Sequence, residues 1–174
     1  MKFKFLKHTA DVKFLTEGRT IEEAFENAAY ALTNTITKGI KIKSRINRKF
    51  EVNGKDNERL LYDFLEEFLY LLDTEYFLLS KIKSIKIIRI PITDKTNKTD
   101  KINKGKVEAN EDNNKDNNRR LYNYKLTAEV IGDDADNYDF TNNVKAITYN
   151  EMFVKKEKIG KGKFKYVCQV VVDV

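Results

Sequence analysis

Val167-Cys168-Gln169-Val170-Val171-Val172-Asp173-Val174 is the strongest β-forming run in the chain, with five valines and a cysteine in eight residues. Valine's branched side chain packs well on a pleated surface, and a run this apolar needs cover from neighbouring strands and layers, which predicts a central strand. Its single acid, Asp173, costs free energy there unless it lies at the sheet rim or meets a cation. Immediately upstream, Gly160-Lys161-Gly162-Lys163 lacks the GxxxxGK[ST] spacing of a phosphate loop and is followed by no helix, so it is expected to be a hairpin turn with lysines. The turn joins the valine run to Val144–Tyr149 and Met152–Val154, which also have strand composition.

Further upstream, Tyr122, Tyr124, Leu126, Ala128 and Val130 alternate with polar residues as an amphipathic strand does. The stretch from Gly132 to Asp139 carries four aspartates, but it lacks the glycine and the bidentate glutamate of an EF-hand loop, and a solvated loop is expected. Strands are also predicted over Ile46–Val52, closed by Asn53-Gly54, and over Lys83–Ile92, where Pro91 marks an edge. Two helices interrupt them. Thr20-Ile21-Glu22-Glu23 has the form of a capping box, and Ile21, Ala24, Phe25, Ala28, Ala31, Leu32 and Ile36 follow at helical spacing until Lys38-Gly39. The second helix is capped by Asp56 or Asn57. Leu60, Leu61, Phe64, Leu65, Phe68, Leu69, Leu71 and Leu72 form its wide apolar stripe, with Asp63, Glu66 and Glu67 expected on the solvent face. Together these elements predict an α+β fold, with two amphipathic helices packed on a largely antiparallel β-sheet.

The segment from Asp94 to Asn118 differs from the rest. It has seven Asn, six Lys, six acids and only Ile102, Val107 and Ala109 as apolar groups, too few to offset the entropy of ordering it. The chain is therefore expected to be a single domain over 1–174 with a disordered insertion loop at 94–118. Replacing that loop with a short Gly/Ser linker should change the unfolding free energy by less than about 2 kcal/mol, measurable by thermal melting. One cysteine, Cys168, excludes an intrachain disulfide framework and a Cys-rich zinc site, and its apolar neighbours suggest a small packed hydrophobe. There is no run of 18 apolar residues and no apolar secretion signal, so no membrane association and a cytoplasmic location are expected. Basic residues exceed acidic ones by 33 to 27, a hint of a polyanionic partner, not a footprint.

Chemistry is concentrated at the two ends. His8-Thr9-Ala10-Asp11-Val12 holds the only histidine three residues before an aspartate, between the alternating segments Lys2–Phe5 and Val12–Phe14. A carboxylate in such a bend can cap local N–H groups as an Asx turn, or join other oxygens around a hard cation. If the last strand pairs near the first two, Asp11 and Asp173 converge, and Val174 adds a further oxygen. Oxygen ligands without thiolates favour Ca2+, Mg2+ or Mn2+ over zinc. No nucleophile constellation, HExxH or paired zinc ligands accompany them.

The HTADV stretch, Thr20-Ile21-Glu22-Glu23-Ala24-Phe25-Glu26-Asn27-Ala28-Ala29, Leu71-Leu72-Asp73-Thr74-Glu75, Val144-Lys145-Ala146-Ile147-Thr148-Tyr149 and the closing Val172-Asp173-Val174 together resemble the archease family. The likeness spans nearly the whole chain apart from the insertion. It implies a non-enzymatic accessory protein of the RtcB-type tRNA-splicing RNA ligase, promoting ligase guanylylation and multiple turnover and meeting tRNA indirectly through the ligase. It also implies a metal site at Asp11, Asp173 and an oxygen of Val174, with calcium the first choice of ion, and a role in ligase activation for Lys145. Three features depart from the family pattern: Lys13 where glycine usually follows the motif, Asn150 where histidine often follows the tyrosine, and the insertion itself. Two other readings compete: an independent RNA-binding or chaperone-like module using Lys41, Lys43, Arg45, Arg48 and Lys49, and a metal-dependent hydrolase built on the two aspartates.

Overall fold

The computed structural model describes residues 2–8, 11–92, 122–140 and 143–174. The insertion expected at 94–118 lies outside the described residues. In chain order the elements are β1 (Phe3–Leu6), β2 (Val12–Gly18), α1 (Ile21–Thr37), β3 (Ile46–Gly54), α2 (Asn57–Glu75), β4 (Phe77–Pro91), β5 (Tyr122–Asp134), a 3-10 turn (Ala135–Asn137), β6 (Ala146–Gly160) and β7 (Lys163–Asp173). The fold is α+β, as the apolar periodicities predict. The strands form two antiparallel sheets instead of one, in the orders β1-β2-β7-β6 and β3-β5-β4, and each helix touches strands of both.

Both helices start where their caps dictate. The Glu23 N–H donates to Thr20 Oγ1 at 3.1 Å, and the Arg59 N–H donates to Asp56 Oδ1 at 2.7 Å, which settles the second cap on Asp56. The first capping box closes differently from expectation, because the Glu23 carboxylate accepts from the Arg19 N–H at 2.7 Å and not from Thr20. Gly18 and Gly54 end the strands before the two helices. A Cβ on Gly18 would lie 2.3 Å from the Ala24 nitrogen and one on Gly54 2.6 Å from that of Leu60, so only glycine lets each helix dock this closely on its own strand.

The core joins the helices to both sheets. Phe14, Phe25, Leu32, Phe64, Leu126 and Val170 are among its fully buried side chains. Buried polar groups on the α1–β2 seam are satisfied: Thr16 Oγ1 donates to the Ala24 carbonyl at 2.9 Å, and Asn27 Nδ2 to the Glu17 carbonyl at 2.8 Å. β7 is an interior strand, as its valines demand. Cys168 on it is fully buried, and burial pushes its thiol up to about 12, so it packs as a hydrophobe and holds no reactive thiolate.

Two expectations are corrected here. The aspartate-rich stretch is not a solvated loop: β5 runs through it to Asp134, and Asp133 is only 2% exposed. The Asp133 carboxylate accepts from the Tyr138 hydroxyl at 2.7 Å and from Arg45 Nη1 at 3.3 Å, and the Tyr138 hydrogen bond holds it below the usual carboxylate range. With Asn137 Nδ2 donating to the other carboxylate oxygen at 3.4 Å, three partners offset the desolvation that sequence alone would have counted against burial. Similarly, Glu66 is only partly exposed. Its Oε1 accepts from the Ile147 N–H at 3.0 Å, while Glu58 Oε1 accepts from the Val154 N–H at 3.0 Å.

These two bonds protect the open edge of β6. Eight helical residues separate the glutamates, about 12 Å. Ile147 and Val154 lie across from Val172 and Cys168, four strand residues apart, about 13 Å. The lengths match only because β6 carries extra residues between Thr148 and Phe153, where its register against β7 shifts. In the shifted segment Tyr149 stacks on Tyr62 of α2, with ring centroids 4.3 Å apart. No described helix is long and apolar enough to cross a membrane.

Candidate functional site

The two chain ends meet through β7. Its antiparallel register with β2 pairs Val12 with Val172, so continuing the ladder by one residue sets Asp11 opposite Asp173. On the other side of β7, Ala146 pairs with Asp173, and this brings Lys145 to the same sheet end. The Lys145 N–H donates to the Asp173 carbonyl at 2.8 Å, and its ammonium donates to the Val174 carbonyl at 2.9 Å and lies 3.6 Å from Asp173 Oδ1. All four residues named from the sequence, Asp11, Lys145, Asp173 and Val174, therefore occupy one rim. Thr9 and Ala10 lie outside the described residues.

His8 sits between two carboxylates. Its Nδ1 is 3.6 Å from Asp11 Oδ2 and its Nε2 3.9 Å from Glu151 Oε1, both beyond hydrogen-bond distance, and the buried Nδ1 has no hydrogen-bond partner among the described residues. Glu151 is the residue that sequence reasoning missed. It lies in the shifted segment of β6 with φ at +52°, a left-handed conformation that a non-glycine residue adopts only when its surroundings fix it. Those surroundings are two side chains. Gln169 Nε2 donates to the Glu151 carbonyl at 2.8 Å, and the Lys13 ammonium pairs with the carboxylate, holding it below the usual carboxylate range. Lys13, one of the departures from the family pattern, is thus engaged by Glu151. Only Lys13 carried a sequence signal for this arrangement.

The four rim residues offer oxygens as ligands, two carboxylates and a backbone carbonyl that already accepts from an ammonium, with the His8 imidazole beside Asp11. Among the described residues no three His, Cys, Asp or Glu side chains gather into a metal-holding group. A cation here would rest on Asp11, Asp173 and backbone oxygen, a set that suits calcium, magnesium or manganese and does not suit zinc.

The chain is similar to known proteins over nearly its whole length. The model of the Archease protein family (MTH1598/TM1083) matches residues 3–174. A protein archease of Methanosarcina barkeri is 31% identical over 175 residues, covering 99% of this chain and 96% of its own. One of Pyrococcus furiosus is 33% identical, covering 99% of both. The solution structure of protein 1598 from Methanobacterium thermoautotrophicum superimposes with a TM-score of 0.65 at 25% identity, over 99% of this chain and 98% of that one. With the family model matched from the first strand to the last residue, the chain belongs to the archease family.

Proposed function

We propose that this protein is a non-catalytic activator of an RtcB-type tRNA-splicing RNA ligase, promoting guanylylation of the ligase and multiple-turnover ligation, and reaching tRNA through that partner. The observation that carries this reading is the convergence of Asp11, Asp173, Val174 and Lys145 on one exposed rim of the four-stranded sheet. In this proposal Asp11, Asp173 and a Val174 oxygen hold one divalent ion, calcium in the first instance. When bound, the ion supplies positive charge that offsets the repulsion of the two carboxylates. Lys145, whose side chain is 67% exposed, holds the Val174 carbonyl in place and presents a second positive charge to the partner.

The test is a ligation assay with purified ligase, with and without this protein. Expected are several ligated products per ligase in its presence, about one in its absence, and no RNA turnover by this protein alone. Equal turnover with and without it overturns the reading, and RNA cleavage by the protein alone favours the hydrolase. Of the five residues assigned to the independent RNA-binding module, three are engaged in ion pairs: Arg45 with Asp133, Arg48 with Glu75, and Lys49 with Glu129.

A further inference from the structure

The β6–β7 hairpin is one of two strongly basic segments of the chain, the other running from Lys38 to Lys49. Between Lys155 and Lys165 there are six lysines against one acid, Glu157, a net +5 in a protein whose total is +6. The ladder between β2 and β7 ends at Gly18–Tyr166, so the part of the hairpin before Tyr166 extends past β2 as a two-stranded ribbon. A Cβ built on Gly160 or Gly162 would meet nothing within 4 Å, and the residues from Lys155 to Phe164 are exposed.

The two faces of this ribbon differ. Glu157 pairs with Lys165 across the strands, and Lys165 also binds Glu17, so the acid is neutralised on one face. On the other face Lys156 lies across from Tyr166 and Lys158 across from Phe164. That face holds no acid. The Lys156 ammonium sits 4.6 Å from the Phe164 ring centroid and 5.8 Å from that of Tyr166, which fixes it beside the rings without neutralising it. Phe164 is 44% exposed, a large apolar ring held at the surface between lysines. Lys158, Lys161 and Lys163 are exposed and form no ion pair among the described residues.

We infer that this hairpin is a contact site for single-stranded RNA, Phe164 stacking on a base while Lys158, Lys161 and Lys163 meet neighbouring phosphates. An exposed ring flanked by unpaired ammonium groups is the combination that binds single strands without reading sequence. A partner that offered only carboxylates would have no use for the ring. The proposal concerns RNA bound by this chain itself and stands apart from the action on a ligase.

The test is fluorescence anisotropy of the full-length protein with a labelled oligouridylate of about 12 nucleotides, without ligase, over a range of salt. Each phosphate contact contributes about 0.7 to the slope of log affinity against log salt for a single strand. The triple variant Lys158→Gln, Lys161→Gln, Lys163→Gln is expected to bind at least ~10-fold more weakly, with a slope smaller by about 2. Phe164→Ala should weaken binding by about 5-fold or more with the slope unchanged. A charge-matched control, Lys55→Gln, Lys81→Gln, Lys86→Gln, removes exposed lysines elsewhere and should bind like the parent. The melting temperature of each variant confirms that it is folded. Parent-like binding by the hairpin triple variant, equal weakening by the control, or equal competition by polyglutamate would each overturn the assignment.

Discussion

Truncating Phe64 to alanine is expected to lower the unfolding free energy by about 3 to 5 kcal/mol. The ring is fully buried, and its centroid lies 6.0 Å from that of Phe25 on α1, 6.0 Å from that of Phe50 on β3 and 5.2 Å from that of Phe68 one helical turn away. Its removal opens a cavity where both helices and the three-stranded sheet meet, and backbones tied down by their own hydrogen bonds close it poorly. Phe68, 5% exposed and packed edge-on to Phe50 at 5.5 Å, should cost toward the lower end of the same range. Denaturant unfolding of both variants measures this. Stability close to that of the parent in both would mean that the α2 stripe does not form the centre of the core.

The second large effect is on function. Asp11→Asn and Asp173→Asn should each abolish divalent-ion binding in a calorimetric titration and remove stimulation of the ligase, while the melting temperature stays near that of the parent. Asparagine keeps the size and polarity of aspartate and removes only the charge, so any loss reports on the carboxylate. A site with two carboxylates that loses one has too little negative charge to compete with water for a hard cation, so loss is expected to be nearly complete and not half. Stability should change little because Asp173 is 48% exposed at the end of its ladder and Asp11 precedes the first β2–β7 pair. Parent-like titrations from both variants would remove the proposed ion. Loss of the ion with full ligase stimulation would separate metal binding from activation.

The part of this protein determined by sequence alone is the part set by near neighbours. The caps at Thr20 and Asp56 start the helices because a side-chain oxygen reaches an N–H three residues on. The α2 stripe and the interior position of β7 follow from apolar periodicity, which fixes what must be buried whatever covers it. Asp11, Asp173 and Val174 were legible because they stand at a tight bend and at the end of a strand too apolar to tolerate an unexplained acid, whereas Lys145 was named only through the family resemblance. Tertiary structure alone decided what depends on pairs remote in sequence. The division into two sheets, the burial of Asp133 among Arg45 and Tyr138, and the capping of the β6 edge by Glu58 and Glu66 each need a donor or acceptor from another element. Glu151 is the clearest case. Its left-handed backbone has no local cause, and it is held there by Lys13 and Gln169 from two other strands, through a shift of register that no periodicity in β6 announces.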